Sequence, residues 1–426
     1  MEIGRRGTLT RQTRIFRELF ARYLRSLGPG FVSGASDADP TTVATMAVVG
    51  STTAYSLSWL VLVIYPMLAG VQMIAAQIGV ASKRGLQELV RVRFGRRWGV
   101  LLLASVVTVN LITIGADLEA GAAASGLILH IDYRWLTLPL AAVMLGLLIL
   151  GSYAVVERIL KYVVLVLLAY VVSAFLAHPR WDVVAQATLL PHVGLNGDTV
   201  QAALAVFGTT LTSYAYVWEA VEEAERKLPV SQLGVARADA GLGMAVAVAV
   251  FWFILISTAA TLGVHHHQVK TADEAAQALR PIAGPAAGYI FGIGLLASAG
   301  IAVPVLAAST AYLTGAEFDF PFGLSKRLGE AREFYAVLTL AMLIAVGIAF
   351  AGIPPIKLLF AASIAGGLGT PVSLSFLLLL GRDRAAMAGR PIGLPLQLIG
   401  GATLIIVSVI SGIFLVQQVI LPALHR

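Results

Sequence analysis

The chain has 426 residues, of which 58% are hydrophobic and only 12% charged, with a mean hydropathy of +0.85 and a net charge of +7. A soluble domain carries roughly 25% charged residues, so a water-facing globule is excluded. Cysteine is absent, which rules out disulfides and thiolate metal sites. The basic residues lie between apolar runs instead of forming one patch, which argues against nucleic acid as a partner.

Residues 1–27 are polar and basic, without the short apolar core of a cleavable signal. They read as a cytoplasmic arm, with an amphipathic helix expected from Phe16 to Leu27. A spanning helix needs about 20 mostly apolar residues. Eleven such segments follow, near 28–50, 56–80, 99–128, 135–152, 154–177, 199–221, 237–264, 285–315, 334–351, 355–380 and 396–421. With the N-terminus in the cytoplasm, 24 Lys and Arg fall inside and 6 outside. That bias follows the positive-inside rule and places the C-terminus outside. The expected location is the cell inner (plasma) membrane, and the lipid bilayer is one expected partner.

The first span carries Asp37 and Asp39 inside an apolar stretch, and Pro40 follows directly. Proline removes a backbone donor and clashes with the preceding turn, so the helix is expected to break there. Irregular backbone at membrane depth is tolerated where it lines a cavity. The sixth span has a matching interruption, the hydroxyl-rich Gly208-Thr-Thr-Leu-Thr-Ser-Tyr214, with Trp218 and Glu219 beyond it. Broken segments at corresponding places in two halves point to a transporter site. Spans 1–5 (28–178) and 6–10 (199–380) then form inverted repeats, and span 11 (396–421) is appended. A carboxylate in the membrane is functional by default, which makes Asp39 the expected centre.

These residues resemble the NRAMP family of divalent metal transporters. The resemblance rests on Gly28-Pro29, Asp39-Pro40-Thr41-Thr42, Gln72 on the second span, Asp117-Leu118-Glu119-Ala120 on the third, and Gly292 to Gly300 on the eighth. It implies an all-α integral membrane protein with the leucine-transporter-like fold of the APC superfamily, five plus five inverted helices and an eleventh. It also implies that divalent metal ions are the cargo. Neither a resident cofactor, nor catalytic residues, nor an obligate protein partner is expected.

The departures carry information. Asp39 is kept, but the family's asparagine falls at Thr42, its backbone carbonyl at Thr209 and its methionine at Thr212. The proline and histidine after that methionine fall at Ser213 and Tyr214, and the second histidine at Glu219. The tenth span has no glutamine. Loss of the thioether leaves oxygen donors, which suit Mg²⁺ or Mn²⁺. The pattern is most like the NRAMP-related magnesium transporters. The family's third-span glutamate is Ala120, and Glu119 is turned by about 100° around the helix. Weak or absent proton coupling is therefore expected, with uptake drawn by the membrane potential.

Alternatives remain open on the residues alone. Asp117, Glu119, Tyr214 and Glu219 are candidates for a second shell or a different proton relay. Asp37 is either a water-held ligand or a support for the broken helix. Glu222 and Glu223 read as surface partners of Arg226 and Lys227 at i,i+4, or as an acidic inner vestibule. His265–His267 read as a solvated outer loop, Trp59, Trp135 and Trp181 as interfacial anchors, and Gly366-Gly367 and Gly369-Thr-Pro371 as sites of close packing or bending. The competing functions are a proton-coupled Mn²⁺/Fe²⁺ symporter of the ordinary NRAMP type and a cationic amine or amino-acid carrier of the same fold. No motif supports an enzyme.

Overall fold

The computed structural model describes residues 37–150, 169–191, 197–265 and 268–424. The N-terminal arm, the opening of the first span, most of the fifth span with Arg158 and Lys161, and His266-His267 lie outside the described residues. The described chain is built from helices. Pro40–Thr53 (α1) and Ser58–Ser82 (α2) come first, then Leu86–Phe94 (α3) and the 34-residue Arg96–Leu129 (α4). Arg134–Leu150 (α5), Trp181–Leu189 (α6), Gly197–Thr210 (α7), Ser213–Arg226 (α8) and Leu233–Thr261 (α9) follow. Ala287–Phe318 (α10), Arg332–Ala349 (α11), Pro355–Arg382 (α12) and Leu394–Leu415 (α13) complete the set.

Seven described helical segments are long and apolar enough to cross a membrane, and α5 is a shorter apolar helix. The difference from eleven has physical causes. The sixth span is divided into α7 and α8, of 14 residues each, and the described part of the first is the 14-residue α1. The fifth lies mostly outside the described residues. Two segments between the apolar runs contain helix: α6 lies within 178–198, and short turns from Ala272 to Ala283 lie within 265–284. Between α2 and α4, α3 is amphipathic and buries Leu86, Leu89 and Val90.

Burial separates an inner set of helices from an outer one. α1 is buried on all sides, as expected of a helix apolar all round at the centre of a bundle. By contrast, Leu394, Leu398, Ile405 and Val409 of α13 are exposed, as are Leu138 and Val143 of α5 and Leu340 and Leu343 of α11. A surface of this kind needs a bilayer to cover it. Trp135 and Trp181 are exposed near span ends, in keeping with anchoring, whereas Trp59 is half-buried against the core. The most extensive helix pairing is α4 with α10, the third member of each repeat. α12 touches α1, α7 and α8 together and so braces both broken spans.

Glycine permits that bracing. A Cβ on Gly208 of α7 would stand 1.8 Å from the Ser363 carbonyl and 2.3 Å from the Gly367 nitrogen of α12. A Cβ on Gly366 would stand 2.6 Å from the Gly208 carbonyl. Gly366 and Gly367 therefore serve close packing. α12 runs helically through Pro371.

Candidate metal site

Helix α1 begins where Asp-Pro predicts. Asp39 is the N-cap of α1 and Pro40 is its first helical residue, a position where the missing N–H costs nothing. The Thr42 amide donates to Asp39 Oδ1 at 2.6 Å, and the Tyr214 hydroxyl donates to Oδ2 at 3.2 Å. The sixth span breaks at Leu211-Thr212, and Thr212 has extended backbone before α8 begins.

The two breaks meet. Thr42 Oγ1 lies 2.8 Å from Thr209 Oγ1 and 3.5 Å from the Thr209 carbonyl. Thr212 Oγ1 donates to the same carbonyl at 2.6 Å and approaches the Gly208 carbonyl at 3.3 Å. The four residues expected around an ion, Asp39, Thr42, Thr209 and Thr212, thus form one continuous set of oxygen donors joined by Thr42. All four are buried. No group of three or more His, Cys, Asp or Glu that could hold a metal occurs among the described residues. A cation here would draw on carbonyl and hydroxyl oxygens as much as on carboxylates, the ligand chemistry of a hard ion.

The candidate relay residues separate into two places. Asp117 on α4 stands against the site: Thr41 donates to its Oδ1 from the amide at 3.1 Å and from the hydroxyl at 2.6 Å. Glu119, about 200° further round the same helix, instead accepts at 3.3 Å from the hydroxyl of Tyr133, just beyond the C-terminal end of α4. Tyr214 lies amid the charges of Asp39, Asp37 and Asp117. Glu219 is buried on α8. Glu223 corrects the surface reading: it is fully buried and meets Arg226 at i,i+3, with Nη1 3.3 Å from Oε1.

Sequence reasoning missed the supports supplied by α12. Ser363 Oγ lies 2.6 Å from Thr45 Oγ1 of α1. Thr370 Oγ1 donates to the Leu211 carbonyl, inside the break, at 2.9 Å. Ser373 Oγ lies 2.7 Å from Ser213 Oγ at the start of α8 and also pairs with the Tyr216 hydroxyl. Their spacing of i, i+7, i+10 places three hydroxyls on one helical face, and that spacing was the available signal. Thr41, which holds Asp117, was also unassigned. Ser298 of α10 holds the Ala38 carbonyl at 2.5 Å.

Residues 30–417 match the sequence profile of the Nramp family, described as natural resistance-associated macrophage protein-like. The chain belongs to this family. Two curated Nramp relatives are both called divalent metal cation transporter MntH. That of Caldanaerobacter subterraneus subsp. tengcongensis is 25% identical over 377 residues, 86% of each chain. That of Deinococcus radiodurans is 27% identical over 414 residues, 92% of this chain and 90% of its own. Among solved structures, the Eremococcus coleocola manganese transporter superposes with a TM-score of 0.73 at 17% identity, covering 92% of this chain and 86% of its own. Mhp1, a nucleobase-cation-symport-1 family transporter, gives 0.60 at 14% identity, covering 94% and 92%. These likenesses establish the all-α leucine-transporter-like fold. This Nramp protein is a multi-pass membrane transporter and not an enzyme.

Proposed function

We propose that this Nramp protein imports Mg²⁺ and Mn²⁺ by alternating access through the oxygen site between α1 and the α7–α8 break, without proton coupling. One observation carries the reading. Thr212 occupies the place of the family's methionine, and its hydroxyl meets the Thr209 carbonyl that also faces Thr42. Soft thioether is thereby exchanged for hard oxygen, which favours Mg²⁺ and Mn²⁺ over softer transition metals. The curated relatives' name, divalent metal cation transporter, supports the coarser part of the reading.

The orientation proposed is N-terminus in the cytoplasm and C-terminus outside, in the plasma membrane. Entry then follows the inside-negative potential, at about 2.3 kcal/mol per charge per 100 mV. A divalent ion gains about 4.6 kcal/mol, or roughly three decades of accumulation. Glu119 faces Tyr133 while Asp117 faces Thr41, so the pair is poorly arranged to hand a proton from one to the other.

Flux of Mg²⁺, Mn²⁺ and Ca²⁺ into proteoliposomes tests this, with the parent and Asp39→Ala. The parent is expected to carry Mg²⁺ and Mn²⁺, and Asp39→Ala to lose both. A parent that carries Mn²⁺ but excludes Mg²⁺ overturns the cargo. Normal Mg²⁺ flux in Asp39→Ala overturns the site. Strong metal-driven acidification at zero membrane potential overturns the uncoupled mechanism.

A further inference from the structure

Asp37 has no role in the site as built so far. It is fully buried, and both of its carboxylate oxygens lack a hydrogen-bond partner. The contrast with its neighbours is sharp. Asp39 is held by Thr42 and Tyr214, and Asp117 is held twice by Thr41. Asp37 does not cap the broken helix, because Asp39 fills that place. Nor is its backbone free to swing outward, since Ser298 fixes the adjoining Ala38 carbonyl to α10. A buried carboxylate left this way is costly when charged, so it either takes up a proton or is met by a cation and its water.

The position narrows the ligand. Asp37 acts electrostatically on Asp39 and on the Tyr214 hydroxyl, so it lies beside the site. Its oxygens take none of the donors that hold Asp39, which leaves both of them available to water carried by an ion at the cluster of Thr42, Thr209 and Thr212. A cation that keeps part of its hydration shell presents there polarised water protons, which suit a carboxylate with both oxygens available.

We infer that Asp37 is a specificity-determining residue that recognises the ion's retained water, favouring ions that dehydrate reluctantly over those that shed water readily. The inference rests on the oxygen site proposed above and adds to it a second recognition layer. Mg²⁺, which gives up water reluctantly, depends on this layer, whereas Mn²⁺ depends more on the direct donors.

The test is Asp37→Asn, which keeps the shape and one acceptor but removes the charge. Mg²⁺ flux in proteoliposomes is expected to fall by about tenfold or more, as loss of a charge-assisted hydrogen bond implies. Mn²⁺ flux is expected to fall by less than about threefold, and Asp37→Glu to recover part of the Mg²⁺ flux. A second arm uses hexaamminecobalt(III), whose inert ligands allow only outer-sphere hydrogen bonding, as a competitor of Mn²⁺ uptake. Its inhibition of the parent is expected to weaken at least about fivefold in Asp37→Asn. Equal loss of Mg²⁺ and Mn²⁺, or no change in either, overturns the inference, as does unchanged inhibition by the cobalt complex. If the parent excludes Mg²⁺, the cargo reading fails by itself and the role of Asp37 is decided by the competitor arm. Elution volume and thermal melting of each variant separate misfolding from altered selectivity.

Discussion

Replacing Gly208 by alanine probes the joint on which the site depends. The added Cβ would lie 1.8 Å from the Ser363 carbonyl, 2.3 Å from the Gly367 nitrogen and 2.9 Å from its Cα. Those neighbours are backbone, so no side chain can swing aside. Restoring ordinary contact, which begins near 3.4 Å, requires α7 and α12 to part locally by about 1.6 Å, an overpacking of the kind that costs ~1–3 kcal/mol. Thr209 is the next residue, and its carbonyl stands 3.5 Å from Thr42 Oγ1. A displacement of that size takes the carbonyl and the Thr209 hydroxyl out of the donor set. The expected outcome is a fall of about tenfold or more in metal flux, since each ~1.4 kcal/mol of lost ligand binding is a factor of ten. Flux in proteoliposomes measures the effect, with isothermal titration of the purified variant reporting weaker binding and thermal melting reporting the packing cost. Parent-like flux and affinity in Gly208→Ala would refute the claim that the α7–α12 contact positions Thr209.

Three further outcomes are expected. Thr212→Met replaces a hard donor with a soft one and should shift competition toward Mn²⁺ and softer ions at the expense of Mg²⁺, read as the ratio of half-inhibitory concentrations. Thr370→Val removes the hydroxyl that holds the Leu211 carbonyl; a stability loss of ~1 kcal/mol with weakened metal binding is expected, and unchanged binding would detach α12 from the break. Away from the site, the hydrogen bond from Arg93 beside Asp383 holds its carboxyl below the usual carboxylate range. A lowered folded-state pKa stabilises above the unfolded value and loses that contribution as pH falls through the lowered one. Asp383→Asn should therefore melt slightly below the parent at pH 7, by the ~0.5 kcal/mol of an exposed pair, and the gap should close below about pH 4.

Much of the fold was legible because membrane segments announce themselves. Apolar length marked α2, α4, α9, α10 and α12 closely, and Asp39-Pro40 marked the break in α1 to the residue. The break in the sixth span was visible as a run of hydroxyls with poor helix preference, though not as the two-residue step at Leu211-Thr212. What escaped was the bracing. Ser363, Thr370 and Ser373 look like routine small residues of a membrane helix, and only tertiary placement shows each one holding a different part of the two breaks. Glu223 was misplaced for a related reason. Its i,i+4 spacing from Lys227 suggested a surface pair, but whether a helix end lies in water or under neighbouring helices is a property of the assembled bundle. Asp37 is undecided between ligand and support on the sequence, and the structure removes one form of support, since Asp39 caps α1.

The hydroxyls around Asp39 also bear on the half of the cycle in which nothing is carried. In the uptake proposed above, the binding site must return to the outside unloaded, and a bare carboxylate buried within the spanning helices would make that step slow. The Thr42 backbone amide and the Tyr214 hydroxyl donate to Asp39, the Thr41 hydroxyl donates to Asp117, and the Thr212 hydroxyl donates to the Thr209 carbonyl. These protein donors act as stand-in ligands that an arriving cation must displace. They lower the barrier to resetting while weakening the grip on the cargo, a trade of affinity for turnover that suits an abundant ion better than a scarce one.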